Sequence, residues 1–338
     1  MKKLSVAEAL REGLKEAMRA DERVFCIGED IAIPGGWGGA FTVTLGLEEE
    51  FKDRMINTPI SEEGFFGVSL GAAVMGLRPV VDVQYGDFLF MAMDQIANQI
   101  AKMRYMSGGK IKVPLVMRAP VGATGRGTQH AQNLEPYFQS LPGIKILVPA
   151  TAYDAKGLLN SAIEDENPVL MFEHKLLYGS KGARKETGAI DASGEIPDEP
   201  YKIPIGKGII RKEGTDVTII GTLLMMHRAV QAAEILEKEG ISAEVIDPRT
   251  LVPFDWELVN QSVEKTGRVV LVEESNRRGG IMAEIAATIA EERPDYLLAP
   301  IKRLGAPSTP APFVPAMEEF YKPSVEKICN AAREAVNY

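Results

Sequence analysis

Two doubly wound α/β domains, each built on a mostly parallel sheet, are what the 338-residue sequence predicts, and three observations carry that expectation. Short apolar runs alternate with longer segments of helical periodicity along both halves of the chain, the pattern produced by parallel strands joined through crossover helices. The length exceeds what one core usually serves. Between Gly179 and Pro204 the composition turns to Gly, Lys, Glu, Asp, Ser and Pro without periodicity, which reads as a connector. The expected organisation is a first domain over 1–180, a linker over 181–204 and a second domain over 205–338.

Taken in order, Ser5 and Glu8 form a capping box ahead of Val6, Leu10, Leu14 and Met18, so the spacing predicts an amphipathic helix over 6–19. A short buried strand is expected over 23–28, ending at Glu29-Asp30, and the glycine-rich stretch 33–39 can only be a loop. Leu47 to Phe51 reads as helical, and Met55 to Asn57 leads into Thr58-Pro59-Ile60-Ser61-Glu62-Glu63. Beyond it, Gly64, Gly67, Gly71, Ala72, Ala73 and Gly76 place small residues along one side of a helix. Each glycine there costs up to roughly 1 kcal/mol relative to alanine, so close contact in a core or a subunit interface must offset it. A strand over 78–85, one long helix over 87–106, strands over 113–118, 144–149 and 168–173, and a helix over 153–164 complete the first half. In the second half, strands over 216–221, 243–247, 269–273 and 301–304 alternate with helices over 226–239, 256–265, 280–292 and 324–335.

Composition excludes several function classes. A net charge of -9, with basic runs no longer than Lys181 to Lys185 and Arg277-Arg278, argues against nucleic acid as a partner and leaves those runs as solvated loops. No stretch is apolar for the roughly eighteen residues a membrane span needs, and the N-terminus enters an amphipathic pattern in place of a signal-peptide core. Cys26 and Cys329, far apart in apolar settings, read as buried thiols in a reducing compartment, and a cytoplasmic location is expected. The three histidines are too scattered for a zinc site.

Glu62, Asp87 and His130 each follow an expected strand, where ligands bind in open α/β sheets. A carboxylate at 62 could equally complement a helix N-terminus, Asp87 could cap a helix, and His130 could be a surface loop residue. The loop Gly122-Ala123-Thr124-Gly125-Arg126-Gly127 follows neither Walker nor dinucleotide order. No Gly-Asp-Gly motif with a downstream Asn is present, the element that holds diphosphate and metal in thiamine diphosphate enzymes.

The chain nevertheless resembles one half of such an enzyme. The segments Asn57-Thr58-Pro59-Ile60-Ser61-Glu62, Gln84-Tyr85-Gly86-Asp87-Phe88, Asp94-Gln95-Ile96, Arg104-Tyr105-Met106-Ser107-Gly108-Gly109, Gln129-His130, Tyr153-Asp154-Ala155-Lys156-Gly157-Leu158 and Asp247-Pro248-Arg249-Thr250-Leu251 look like the beta subunit of the thiamine-diphosphate-dependent component of 2-oxo-acid dehydrogenase complexes. The resemblance implies a transketolase-like pyrimidine-binding domain followed by a transketolase C-terminal domain. It also implies an α2β2 heterotetramer whose alpha subunit holds the diphosphate and Mg2+, and a lipoyl acyltransferase core that accepts the acyl group.

Carried over by position, Glu62 would bond N1′ of the cofactor's aminopyrimidine, with Ile60 and Phe88 packed about it, and Gln84 would line the same pocket. His130 would handle protons on the adduct or receive the lipoyl group. Leu115, Ala162, Ile163, Asp165 and Asn167 match a potassium site of some family members, although an acidic helix end would look similar. Ala306-Pro307-Ser308-Thr309-Pro310-Ala311-Pro312-Phe313 is most similar to the acetoin branch, with pyruvate and then branched-chain 2-oxo acids behind it. A non-catalytic assembly subunit and a self-contained transketolase-type enzyme are the rival readings.

Overall fold

The computed structural model describes residues 1–179 and 188–338. The stretch 180–187, which contains the basic run Lys181 to Lys185 and the start of the expected linker, lies outside the described residues. A seven-stranded sheet runs in the order Thr250–Val252, Lys145–Leu147, Val169–His174, Val116–Val121, Arg78–Asp82, Val24–Gly28, Met55–Asn57. Its pairings are parallel except for the Thr250–Val252 edge. A five-stranded sheet follows the order Lys302–Ala306, Val269–Asn276, Val217–Gly221, Ala243–Asp247, Ile209–Lys212, with only the last strand antiparallel. The α/β expectation therefore holds in both halves, and each sheet has an edge strand that alternation alone did not reveal.

The capping box at Ser5 and Glu8 is formed, and the helix Val6–Ala20 buries Leu10, Leu14 and Met18 against the helix Ala152–Glu164. The long helix expected over 87–106 is broken into a 3-10 stretch Gly86–Ala92, a π-turn Gln95–Ile100 and a short helix Met103–Met106. Its start is pinned because a Cβ at Gly86 would lie 2.9 Å from Val121 and because Asp87 is bonded to Gln132. The register difference is absorbed downstream in the π-turn. The segment 188–204 does not hang free: Gly194–Ile196 pairs with Lys2–Leu4, and Ile203 N–H and Asn160 Nδ2 bond it across the helix Ala152–Glu164. Composition hid this because the anchors are single apolar residues, Ala192, Ile196 and Ile203. Cys26 and Cys329 are buried and free, and among the described residues no helix is long and apolar enough to cross a membrane.

The halves are joined through Asp154, which is fully buried. Its carboxylate pairs with Arg211, which also reaches Asp247 at 2.7 Å, and with Arg249 at 2.9 Å. His227 Nε2 adds a contact of 2.7 Å to the Ala150 carbonyl oxygen. Removing one partner from such a buried cluster leaves uncompensated charge, which costs about 3–5 kcal/mol. Asp154→Ala is expected to lose stability of that size in urea titrations, whereas Lys202→Ala, which breaks an exposed pair with Glu164, is expected to change it by less than about 1 kcal/mol.

Candidate active site

Five parallel strands of the first sheet deliver their carboxyl ends to one face, where open α/β sheets bind ligands. Val24–Gly28 leads to Glu29, Met55–Asn57 to Glu62, Arg78–Asp82 to Gln84 through Phe88, Val116–Val121 to the loop ending at His130, and Val169–His174 to Lys175. Beneath them Arg118 bridges the sheet interior, bonding Asp82 at 2.5 Å and Glu173 at 2.7 Å. Burial alone would lower the Arg118 pKa, and the two carboxylates reverse this and raise it.

Glu62 opens the helix Glu62–Val74 and is buried, and no hydrogen bond to its carboxyl is formed within the described residues. Ser61 makes no side-chain cap. Glu29 lies beside it: burial first and then the charge of Glu62 raise the Glu29 pKa, and Oε1 of Glu29 is buried without a partner. A second acid facing the first is the feature the sequence reading missed. Its only signal was position, since Glu29 directly follows a wholly buried strand.

Gln84 turns its amide to structural use. Nε2 donates to the Glu29 carbonyl oxygen and Oε1 accepts from Ala40 N–H at 2.7 Å, which ties the glycine-rich loop to the acid pair. Next to it stands an aromatic wall. The His130 ring meets Tyr85 edge-on at 4.7 Å between centroids and Phe88 at 5.4 Å. Ile60 departs from the expectation that it packs on Glu62, because it is 85% exposed.

The loop that carries His130 is clamped from several sides. Asp87 accepts from Gln132 N–H at 3.3 Å and from its side-chain amide at 2.7 Å, so it fastens the loop and caps no helix. Lys175 donates to the His130 carbonyl oxygen and sits over Tyr85. From the C-terminal half, Glu274 accepts from Ala123 N–H at 2.9 Å and Glu318 from Gly125 N–H at 2.8 Å. Glycine is needed at 122, where φ is +97° and a Cβ would lie 2.1 Å from the His174 ring. Burial would push Glu274 up, but His174, Lys322 and the Ala123 N–H outweigh it and hold the carboxyl at about 2.

The residues matched to a potassium site lie at the opposite end of the sheet, since Leu115 precedes Val116–Val121 and 162–167 precede Val169–His174. Six residues of strand separate the two ends, roughly 20 Å at about 3.3 Å per residue. Their oxygens are already served by protein cations. Arg78 donates to the carbonyls of Ile163 at 2.9 Å and Asp165 at 3.3 Å, Arg104 to Asn167 Oδ1 at 2.7 Å, and Lys145 to the Asp165 carboxylate. Ala162 O and Leu115 O accept backbone N–H groups. The set suits a hard cation in atom type but presents it with three positive side chains, so no role in the chemistry is derived from it.

Comparison with known proteins matches residues 2–181 to the family described as transketolase, pyrimidine binding domain, and residues 206–328 to transketolase, C-terminal domain. The chain is 44% identical to the acetoin:2,6-dichlorophenolindophenol oxidoreductase subunit beta of Bacillus subtilis, over 98% of this chain and 96% of that one. It is 43% identical to the 2-oxoisovalerate dehydrogenase subunit beta of the same organism, over 100% of both. The pyruvate dehydrogenase E1 component subunit beta-2, mitochondrial, of Oryza sativa is 44% identical, over 99% of this chain and 86% of that one. A solved structure described as split gene transketolase, inactive beta4 tetramer, superposes with a TM-score of 0.79 at 25% identity, covering 99% of each chain.

Glu135, at the start of the helix that follows the loop, is buried, with Oε2 lacking a partner. Burial, then Glu274 and Glu273, push it to about 8. An acid raised on folding binds its proton more tightly in the native state, so its contribution is full below about pH 4.5 and is lost as pH rises through about 8. Glu135→Gln is expected to flatten this decline, leaving the variant more stable than the parent by on the order of 3 kcal/mol at pH 8 and level with it near pH 4.5. Urea midpoints across that range provide the measurement.

Proposed function

The chain belongs to the transketolase-domain family, among the beta subunits of acetoin and 2-oxo-acid dehydrogenases, and from that premise we propose that it supplies the acid and the imidazole of a thiamine-diphosphate-dependent active site shared with an alpha subunit. The observation that carries this reading is the buried Glu62 carboxyl, unbonded among the described residues, beside Glu29 and within the same sheet face as Phe88 and His130. When bound, thiamine diphosphate supplies the electron sink for cleaving a carbon–carbon bond next to a carbonyl.

Each residue then has a defined part. Glu62 holds a proton against the pyrimidine N1′, and Glu29, as its close acidic neighbour, disfavours two negative charges there. Phe88 supports the ring, Gln84 keeps the glycine-rich loop beside it, and His130 moves a proton on the substrate side or orients the incoming lipoyl group. That the sequence holds no Gly-Asp-Gly motif supports leaving the diphosphate and Mg2+ to the alpha subunit. An α2β2 assembly agrees with the surface. On the helix Glu62–Val74, a Cβ at Gly71 would meet nothing within 4 Å, and Val68, Met75, Met91 and Tyr105 nearby in the chain stand exposed. The small-residue side of this helix thus has no partner at Gly71 among the described residues, which favours the interface over the core.

Relatives at 43–44% identity divide among acetoin, 2-oxoisovalerate and pyruvate in their names, so identity does not rank the substrates. Acetoin is preferred from the segment 306–313, whose Ala311 carbonyl oxygen accepts from Thr128 at 2.9 Å and whose Phe313 faces Gly127, so it borders the His130 loop. A lipoyl acyltransferase core takes the product, and with both cysteines buried as free thiols the chain suits a reducing cytoplasm.

Glu62→Gln in the reconstituted heterotetramer is expected to lower thiamine-dependent turnover by about 10²-fold or more while assembly, followed by size-exclusion chromatography, is unchanged. Unchanged turnover would leave this chain an assembly role only. The chain without its alpha subunit is expected to show no turnover, in keeping with the inactive beta4 tetramer of its structural relative.

A further inference from the structure

A group of positive charges lies apart from the acid pair and the imidazole. Arg277 and Arg278 follow the strand Val269–Asn276, Arg303 lies on the neighbouring strand Lys302–Ala306, and Lys327 comes from the last helix, Val325–Val336. The four line one cavity of about 660 Å³, whose wall also includes Phe320 and Pro323. In a chain of net charge -9 this concentration stands out. Arg19, Arg23, Arg228, Arg293 and Arg333 are each paired with a carboxylate. The guanidinium groups of Arg278 and Arg303, by contrast, have no hydrogen-bond acceptor and no carboxylate at ion-pair distance among the described residues.

The surroundings hold the charges in place and neutralise them only in part. Arg277 Nε donates to the Arg303 carbonyl oxygen at 3.1 Å, which anchors that side chain to the adjacent strand. Lys327 Nζ stands 4.7 Å from the centre of the Phe320 ring. The nearby acid, Glu273, is buried, accepts from the Ser275 hydroxyl at 2.5 Å and feels the charge of Arg303, so it offsets that charge only in part. Four cations beside one buried acid still repel one another, and a bound anion relieves that repulsion.

We propose that this cavity binds a small molecule of nucleotide size carrying two or more phosphate groups. Planar guanidinium forks are the side chains best suited to phosphate oxygens, and three of them exceed what a single phosphate needs. A volume of about 660 Å³ falls in the range of about 300–1,000 Å³ typical of small-molecule sites. Phe320, which is largely exposed, offers an apolar surface for a flat ring. The cavity shares Arg278, Ser308 and Tyr321 with a neighbouring cleft lined by Thr128 and Gln129, so an occupant would sit next to the loop that carries His130.

Isothermal titration of the full chain with magnesium-free ATP, inorganic pyrophosphate and inorganic phosphate tests this. ATP is expected to bind tightest, pyrophosphate about tenfold more weakly and phosphate more weakly still, each affinity falling as salt is raised. The double variant Arg278→Glu, Arg303→Glu is expected to lose at least about tenfold in ATP affinity, with an unchanged thermal melt showing that it folds. Phe320→Ala, at a solvent-facing position, should weaken ATP and leave pyrophosphate unaffected, and Lys302→Glu, whose partner is Glu334, should alter neither. No ATP binding at millimolar concentration, or ATP binding indifferent to the double variant, would overturn the site. Pyrophosphate binding as tightly as ATP would overturn the nucleotide-sized ligand.

Discussion

Asp154 is the constraint on which the arrangement of this molecule depends. A carboxylate with no solvent exposure is tolerable only with its charge fully answered, and Arg211 and Arg249, from the other half, answer it. The pairing sets the second half against the helix Ala152–Glu164, and the strand Thr250–Val252, which directly follows Arg249, then closes the edge of the first sheet. Once the halves are seated in this way, Glu274 and Glu318 reach Ala123 and Gly125. The C-terminal half thus contributes no residue to the acid pair or the aromatic wall. It fixes the loop that ends in the imidazole.

That division explains the placement of charge. The first sheet carries the polar groups that face a ligand at its carboxyl edge, where strand ends and loops expose them to one space. Acids without such a task are matched: Asp82 and Glu173 by Arg118, Glu274 by His174. Glu62 and Glu29 are the pair left facing each other, and burial makes that arrangement costly unless a proton or a ligand nitrogen lies between them. Glu135 is an exception, buried with Oε2 lacking a partner, so what sets Glu29 and Glu62 apart is that two acids lie together at the carboxyl ends of the strands.

Much of this was legible from residue pattern. Periodicity located the parallel strands, because most are buried on both faces and read as continuous apolar runs. The motif order placed Glu62, Phe88 and His130 on one face. What escaped depends on partners distant in sequence. Glu29 looked like a residue that ends a strand, and only folding shows that Glu62 confronts it. The break in the long helix over 87–106 arises from the bond of Asp87 to Gln132, forty-five residues away. Ile60 was expected beside Glu62 from the resemblance to the family, yet within this chain it stands exposed. The oxygens of 162–167 have the spacing of a cation site, whereas Arg78, Arg104 and Lys145, which serve them, come from other elements.

The helix Glu62–Val74 ties the chemistry to assembly. Its first residue is the acid, and Gly67 and Gly71 lie one and two turns further along the same helix. Glycine in a helix is retained against its intrinsic cost only where another surface must come close. A Cβ at Gly67 would meet Gln95 at 3.5 Å, whereas at Gly71 no atom among the described residues comes close. A partner that packs at Gly71 would therefore also fix the orientation of Glu62, because a rigid helix transmits a constraint on its middle to its start. On this view subunit association and placement of the proposed catalytic carboxyl are one event: Phe65, Phe66, Leu70 and Ala73 seat one side of the helix in the core of the chain, and a partner at Gly71 would fix the other.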